Sequence, residues 1–205
     1  MSTLILATHN THKTEEIRGM LGGFFDEVVD LTSFPEIPEA DETGTTFSAN
    51  AAIKATEASA AMPDALVVAD DSGLEVDALE GAPGVYSARY SGEDATDESN
   101  RMKLLEELQR VGARGKTRSG RFRCILAVAR AGEVVREFDG AVEGIIANQA
   151  KGENGFGYDP LFIPEGYCET FGQLPPEEKH GMSHRGRALE KLKVWLATLP
   201  ETKQP

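Results

Sequence analysis

Two adjacent carboxylates, Asp70 and Asp71, follow the apolar run Val67-Val68-Ala69, and a small hydroxyl and a glycine come next. An apolar run of this length is typical of a buried strand, so the sequence predicts that both acids stand at a strand end beside a mobile turn. Open α/β folds place ligands where strands end in such turns. The pair therefore predicts a metal or general-base site. The alternative is a solvated acidic turn with an Asx-type cap.

A loop carboxylate, Glu42, lies just before a helix predicted over residues 46–62, in which Asn50 and Lys54 interrupt an apolar stripe. Polar residues on such a stripe often mark functional sites, although a lysine can also snorkel from the stripe's edge. Mg²⁺ prefers oxygen ligands and commonly uses one or two carboxylates with substrate phosphates. Glu42 and the aspartate pair could therefore hold one or two Mg²⁺ ions, and a carboxylate not committed to metal could be a general base for water.

Three polar side chains, those of Thr8, Asn10 and Lys13, follow the first predicted strand at the start of a helix. Backbone N–H groups at a helix N-terminus favour anions, and Lys13 adds a positive charge. The segment could cradle a phosphate, although the glycines of a Walker A loop are missing. A plain surface turn would have a similar sequence.

Two later segments could contact a flat ligand such as a base. In the loop over residues 155–159, Phe156 stands between two glycines, which allow close approach of a ligand to the backbone. Phe156 could stack on a base or fill a satellite core. At the start of the last helix, His184 and Arg185 lie where the helix dipole disfavours cations, so they could face a ligand. An ordinary helix start is the alternative.

The elements that position these residues alternate between strand and helix, which predicts an α/β fold of one domain or of two small lobes with a shared core. Thr11 is the expected cap of the first helix, and the chain beyond Pro200 is expected to fray. The predicted strands are residues 4–7, 28–31, 67–70, 121–130, 134–138 and 142–146, and the predicted helices begin near residues 11, 46, 96 and 183.

Composition excludes several classes of protein. The 205 residues carry a formal net charge of −13, which is unfavourable for unspecific binding of nucleic acid. The two cysteines, Cys124 and Cys168, form no CxxC motif, so a disulfide framework is not expected and a reducing compartment fits. No stretch approaches the ~20 apolar residues of a membrane span, and no signal peptide is recognisable. We therefore expect a cytoplasmic protein without membrane or nucleic-acid partners.

Taken together, five separated motifs resemble the non-canonical purine NTP pyrophosphatases, which are the inosine/xanthosine triphosphate pyrophosphatases also called Ham1-like or RdgB-like proteins. The motifs occur in the family's order and extend over nearly the whole chain. They are Thr8-x-Asn10-x-x-Lys13, Glu42-Thr43-Gly44-x-Thr46-Phe47-x-x-Asn50-Ala51-x-x-Lys54-Ala55, Ala69 to Leu74 with Gly81 to Tyr90, Gly155 to Pro160, and Ser183-His184-Arg185-Gly186.

The resemblance implies hydrolysis of ITP, dITP and XTP to the monophosphate and pyrophosphate, with Mg²⁺ as cofactor. It implies one nucleoside-triphosphate pyrophosphatase domain over residues 1–205. The expected fold is an elongated central mixed β-sheet flanked by helices, with two lobes around a nucleotide cleft. A homodimer is also expected.

The family's site residues carry over onto matching positions of this chain. Asp71 corresponds to the general base and a metal ligand, Glu42 corresponds to a metal ligand, and Lys54 joins Asp71 in catalysis. Asp70 is expected to support them. The residues expected to bind substrate are Thr8, His9, Asn10, Thr11, His12, Lys13, Ser72, Phe156, Gly157, Tyr158, Asp159, Lys179, His184 and Arg185.

Residue chemistry agrees with this assignment. Lys13 and Lys54 can add positive charge where pyrophosphate leaves. A donor from Lys179 or Arg185 can pair with a 6-oxo purine and reject adenine, because an unmatched polar pair in a closed pocket is costly.

Three other functions remain open at this point. A Maf-like pyrophosphatase would prefer pyrimidine or modified nucleotides, and the Ser183-His184-Arg185 segment argues against it. A nucleotide-binding regulatory module would bind without turnover, but both Asp71 and Lys54 are present. A haloacid-dehalogenase-type phosphatase needs a D-x-D motif, which Asp70-Asp71 does not supply.

Overall fold

The computed structural model of the protein describes residues 3–21 and 23–199, so the predicted fraying beyond Pro200 lies outside the described residues. We number the helices and strands of this part in chain order. The α-helices are α1 (Thr11–Leu21), α2 (Phe47–Ala61), α3 (Asp97–Arg110), α4 (Pro176–Met182) and α5 (His184–Leu196). The strands are β1 (Thr3–Leu6), β2 (Glu27–Asp30), β3 (Leu66–Val76), β4 (Ser119–Arg130), β5 (Glu133–Ile146) and β6 (Phe162–Pro164).

The strands form a mixed sheet in the order β2-β1-β3-β4-β5-β6. Strand β1 pairs in parallel with β2 and with β3, and its residue Leu4 lies opposite Val28 and Leu66. Strand β5 pairs antiparallel with β6. The predicted α/β fold with a mixed sheet and flanking helices is therefore confirmed. The two predicted strands over residues 134–138 and 142–146 are parts of the single strand β5.

The chain divides into two compact units. The described parts of residues 1–71, 124–140 and 185–205 form unit 1, and residues 72–123 and 141–184 form unit 2. The core of unit 1 brings β1, α1, the start of β3 and α5 together. As predicted, the stripe of α5 is buried, with Leu189 and Leu192 at 0% exposure and Leu196 at 4%.

Unit 2 has its own apolar core, in which aromatic side chains from β4, β6 and the segment before α4 meet. The rings of Phe122 and Phe162 are 4.8 Å apart, and those of Phe162 and Phe171 are 5.2 Å apart. Leu104 and Leu108 of α3 are fully buried in the same core. Helix α3 begins where the sequence predicts, because Thr96 caps it by accepting a hydrogen bond from the backbone of Ser99.

Strand β3 differs most from the expectation. The sequence predicts a strand that ends at Asp70 and Asp71, but β3 continues to Val76, so that prediction is wrong and Gly73 lies within the strand. Both carboxylates are buried inside it. A buried carboxylate is tolerated when cations pair with it, and these come from α1, α2 and α5. Such distant partners leave no local pattern in the sequence.

Within residues 3–21 and 23–199, no helix combines the length and the apolar character that crossing a membrane requires.

Candidate active site

Three side chains of unit 1 form what we call the lysine–carboxylate cluster: Glu42, Lys54 and Asp71. The Nζ atom of Lys54 lies 2.9 Å from Oε1 of Glu42 and 2.9 Å from Oδ1 of Asp71. Helix α2 carries Lys54, and β3 carries Asp71. Only 12% of the Lys54 side chain is exposed, so this lysine binds two carboxylates rather than snorkelling into solvent.

The charges of this cluster shift one another's protonation. Burial disfavours the Lys54 ammonium, but the combined attraction of Asp71 and Glu42 outweighs it, so the pKa of Lys54 is raised. Burial raises the pKa of Asp71 above its ordinary 3.8, because the opposing effect of Lys54 is smaller. The Oδ2 atom of Asp71 is buried and has no hydrogen-bond partner among the described residues. Asp71 thus offers an unused acceptor oxygen and a pKa shifted toward that of a general base.

The loop that carries Glu42 is fastened to the first turn of α2. The backbone N–H of Gly44 donates to Oδ1 of Asn50 at 2.8 Å, which explains why a polar residue interrupts the apolar stripe. A Cβ atom on Gly44 would lie 2.6 Å from that same Oδ1, so a larger residue would push the loop away. Thr46 caps α2, which begins within a residue of its predicted start. These local contacts hold the carboxylate of Glu42 near Lys54.

The turn after β1 places Lys13 beside the aspartate pair. The Nζ atom of Lys13 donates to the backbone oxygen of Asp70 at 3.3 Å. The same Nζ atom lies 2.7 Å from Oδ1 of Asp70. The predicted cap of α1, Thr11, is wrong, because Thr11 is already the first residue of the helix. Oδ1 of Asn10 accepts the hydrogen bond from the backbone N–H of Lys13 instead. Thr8 in turn accepts from the Asn10 backbone at 3.1 Å. The turn is therefore closed by its own side chains.

The predicted binding residues His9 and His12 are exposed on this turn, as is Asn10. Their exposure leaves them accessible to a ligand, and their role stays a prediction.

Asp70 is the centre of what we call the buried ion network, which also contains Lys13, Glu16 and Arg185. Arg185 donates from Nε to Oδ2 of Asp70 at 2.9 Å and from its NH1 group to Glu16. The Sγ atom of Cys124 lies 3.1 Å from the same Oδ2. The side chains of Asp70 and Arg185 are each 1% exposed.

Burial of Asp70 opposes its ionisation, but Arg185 and Lys13 outweigh burial and hold the pKa of its carboxyl well below 3.8. Asp70 is thus an ionised structural anchor. Arg185, which the sequence assigns to the nucleoside, lies buried against Asp70 and Glu16.

Unit 2 holds the aromatic loop, which we define as residues 155–159. The Oδ2 atom of Asp159 accepts from the backbone of Phe156 at 2.9 Å and from Lys179 Nζ at 2.6 Å. The Lys179 ammonium lies 5.3 Å from the centre of the Phe156 ring. Lys179 and Asp159 are both 3% exposed, so the pair is buried. Three of the predicted base-contacting residues therefore meet in one place.

Tyr158, Ser72 and His184 are also placed in unit 2. Tyr158 is buried and its hydroxyl donates to the backbone oxygen of Ser87 at 2.9 Å, so it holds the aromatic loop from the inside. His184 stacks on Phe122, with the ring centres 4.8 Å apart. Ser72 is half-buried in β3. Their predicted contact with a substrate stays a prediction.

The sequence profile of the Ham1 family matches residues 4–195. The chain belongs to the Ham1 family. A relative from an Exiguobacterium species, named dITP/XTP pyrophosphatase, is 52% identical over 192 residues, which are 93% of this chain and 95% of that protein. A relative of the same name from Oceanobacillus iheyensis is 46% identical over 97% of this chain and 100% of its own. The solved structure of a HAM1 protein from Coxiella burnetii has a TM-score of 0.86 and 38% identity, and the match covers 97% of this chain and 100% of that one.

Several residues of the buried ion network and of the aromatic loop's surroundings are not predicted from the sequence. Glu16 binds Arg185 across 169 positions of the chain, and Asp97 and Arg101 of α3 both bind Gly157 of the aromatic loop. Asp97 and Arg101 stand four apart on one helix, which indicates a shared face. Nothing in the sequence shows what that face touches.

The described residues contain no group of three or more His, Cys, Asp or Glu side chains arranged to hold a metal ion. Glu42 and Asp71 form a pair of carboxylates that both bind Lys54. Mg²⁺ commonly takes one or two carboxylates and completes its shell with water and substrate phosphates. The donor set of this Ham1-family chain therefore fits a magnesium ion that binds together with a phosphorylated ligand.

Proposed function

We propose that this protein hydrolyses ITP, dITP and XTP to the nucleoside monophosphate and pyrophosphate, with Mg²⁺. The curated relatives that cover almost the whole chain carry the name dITP/XTP pyrophosphatase. The observation that carries the proposal is the lysine–carboxylate cluster, in which Lys54 bridges Glu42 and Asp71 and leaves one buried oxygen of Asp71 open. Membership of the Ham1 family argues against the Maf-like alternative.

In the proposed mechanism, Asp71 accepts a proton from the attacking water. The water oxygen forms a bond to the α-phosphorus, and the bond between that phosphorus and the oxygen leading to the β-phosphate breaks. Pyrophosphate leaves, and the proton is held at Oδ2 of Asp71, the oxygen without a protein partner in the described residues.

Lys13 and Lys54 bind the triphosphate in this proposal. An ammonium has three N–H donors. Lys54 uses two of them on Glu42 and Asp71, and Lys13 uses two on Asp70, so each can turn a further N–H to a phosphate oxygen. Their charges stabilise the negative charge that develops on pyrophosphate as it leaves.

Glu42 and Asp71 would hold the Mg²⁺ ion. When bound, the ion neutralises charge on the phosphate oxygens.

The aromatic loop recognises the base in this proposal. Phe156 supplies a flat apolar face, and Lys179 supplies a donor for the 6-oxo group of hypoxanthine or xanthine. Adenine carries an amine at that position. Two hydrogen-bond donors, this amine and the ammonium of buried Lys179, would then face each other, so adenine nucleotides should bind poorly. The guanidinium of Arg185 is bound by Asp70 and Glu16, so Lys179 is the stronger candidate for this donor.

The test is a substrate panel with purified protein and Mg²⁺, in which pyrophosphate and orthophosphate are measured separately. We expect pyrophosphate from ITP, dITP and XTP, much faster than from ATP. In H₂¹⁸O the label should enter the monophosphate, because water attacks the α-phosphorus. Release of orthophosphate, equal rates on ATP, or label in pyrophosphate would contradict the proposal. Tight ITP binding without turnover would favour the regulatory module.

A matched variant tests the general base. Asp71→Asn keeps the size of the side chain but removes the proton acceptor, so turnover should be nearly abolished while the circular dichroism spectrum is unchanged. An unchanged kcat would remove Asp71 from this role.

We also propose that the protein is a cytoplasmic homodimer, as the family resemblance implies. Light scattering coupled to size-exclusion chromatography would give a mass near twice 22.1 kDa. Fractionation of the source cells would place the protein with the cytoplasmic markers.

A further inference from the structure

Helix α3 holds the aromatic loop by both backbone polar groups of one residue, Gly157. The backbone N–H of Gly157 donates to Oδ2 of Asp97 at 2.6 Å, and an NH1 proton of Arg101 is donated to the backbone oxygen of Gly157 at 2.7 Å. Both polar backbone groups of Gly157 therefore bind charged side chains, and hydrogen bonds to charged groups are the strong ones.

The spacing of Asp97 and Arg101 allows both side chains to bind the backbone of Gly157. Asp97 and Arg101 lie four positions apart, so they share a face of α3 and stand about one turn from each other. The turn is itself fixed, because the Thr96 and Ser99 side chains each bind the other's backbone N–H in a capping box. A rigid helix end thus presents one acceptor and one donor to the loop.

Gly157 needs such support because of its backbone conformation. Its φ angle is +59°, and the neighbouring Gly155 has a φ of +74°. Glycine populates this region freely but also leaves it freely, so a loop of two glycines loses much conformational entropy when it becomes ordered. Binding both the N–H and the C=O of Gly157 to α3 removes that freedom before a ligand binds.

Phe156 lies between the clamp and the buried pair of Asp159 and Lys179. Its backbone N–H binds Asp159, and the next residue, Gly157, binds α3. The backbone is therefore fixed on both sides of the Phe156 ring. We infer that Asp97 and Arg101 are positioning residues for base recognition, and that they determine how well the protein selects its nucleotide. This inference rests on the proposed function of the aromatic loop.

The test compares variants of these two residues in steady-state hydrolysis of ITP. Arg101→Met and Asp97→Ala should each raise KM for ITP about tenfold, the size of one charge-assisted hydrogen bond, and change kcat less than about twofold. Asp97→Asn keeps an acceptor oxygen for the Gly157 N–H but loses the charge, so its KM should lie between those of wild type and Asp97→Ala. Glu98→Ala, one position along α3, is the matched control and should change nothing.

A phosphate-only probe separates positioning from general damage. Inorganic triphosphate lacks a base, so its inhibition constant against ITP hydrolysis should be the same in Arg101→Met and in wild type. The double variant Asp97→Ala/Arg101→Met should raise KM by less than the product of the single effects, because both residues act through Gly157.

An unchanged KM for ITP in both single variants would overturn the inference, and so would an equal loss of ITP and inorganic triphosphate binding. The wild-type protein is assayed first. If it releases no pyrophosphate from ITP, the proposed function itself is wrong, and the variants are not compared.

Discussion

The buried ion network makes a sharp prediction about stability. Asp70 binds Arg185 and Lys13, and the side chains of Asp70 and Arg185 are each 1% exposed. Asp70→Asn keeps the volume of the side chain but removes its charge, which leaves a buried guanidinium without its main counter-charge. Removing one partner of a buried ion pair costs about 3–5 kcal/mol. Because domains are stable by only about 5–15 kcal/mol, this variant should lose a large share of its free energy of unfolding.

The single tryptophan supplies the assay. Trp195 lies on α5, the helix that carries Arg185, and packs on Phe138 with the ring centres 5.7 Å apart. Its fluorescence during urea titration at pH 7 reports the unfolding of unit 1, which contains the network. Asp139→Asn is the matched control, because its pair with Lys191 is more than half exposed and should contribute about 0–1 kcal/mol.

The pH dependence follows from the direction of the pKa shift. The native pKa of Asp70 lies well below its ordinary 3.8, so its contribution to stability is present above that value and is lost as the pH falls through the native pKa. The difference in free energy of unfolding between wild type and Asp70→Asn should therefore be largest at pH 7 and should decrease in strong acid. A loss of less than about 1 kcal/mol at pH 7, or no difference from Asp139→Asn, would refute the reasoning.

Three further outcomes are expected. In a carboxyl NMR titration of the metal-free protein, the pKa of Asp71 should lie above 3.8, because burial raises it. Lys54→Met should raise this pKa further by removing the cation that opposes the shift, and an unmoved pKa in that variant contradicts the assignment. Gly155→Ala should raise KM for ITP, because its Cβ would lie 2.0 Å from Oδ2 of Asp159. In Gly157→Ala the added Cβ meets no atom within 4 Å, so that variant carries only backbone strain and should raise KM less. Equal increases in KM would contradict this expectation. Chelation of divalent ions should abolish pyrophosphate release, and added Mg²⁺ should restore it; full activity in excess chelator would exclude the proposed cofactor.

Much of the fold can be read from local patterns. The apolar stripe of α5, the start of α3 at Thr96 and the start of α2 at Thr46 are all recognisable, because helix periodicity and caps depend on neighbouring residues. The motifs also place the residues of the lysine–carboxylate cluster, since Glu42 and Lys54 belong to one loop and the helix that follows it. These predictions need no knowledge of distant contacts.

The end of β3 shows where prediction from neighbouring residues fails. Two adjacent acids and a glycine are typical of a turn, yet the strand continues to Val76. The carboxylates stay inside it because Lys13, Lys54 and Arg185 approach from three helices. A rule based on neighbouring residues assigns acids to solvent, and only tertiary contacts reverse that assignment.

The sequence by itself determined the chemistry of this protein, namely which side chains are available and in what order, because residue types and short spacings are local properties. Only the tertiary structure decided their partners. It separates the two aspartates into Asp70, an ionised anchor buried between cations, and Asp71, which keeps a buried oxygen open. It also brings Asp97 and Arg101 onto Gly157. The physical reason is that charge, burial and hydrogen bonding act through space, between residues that the chain keeps far apart.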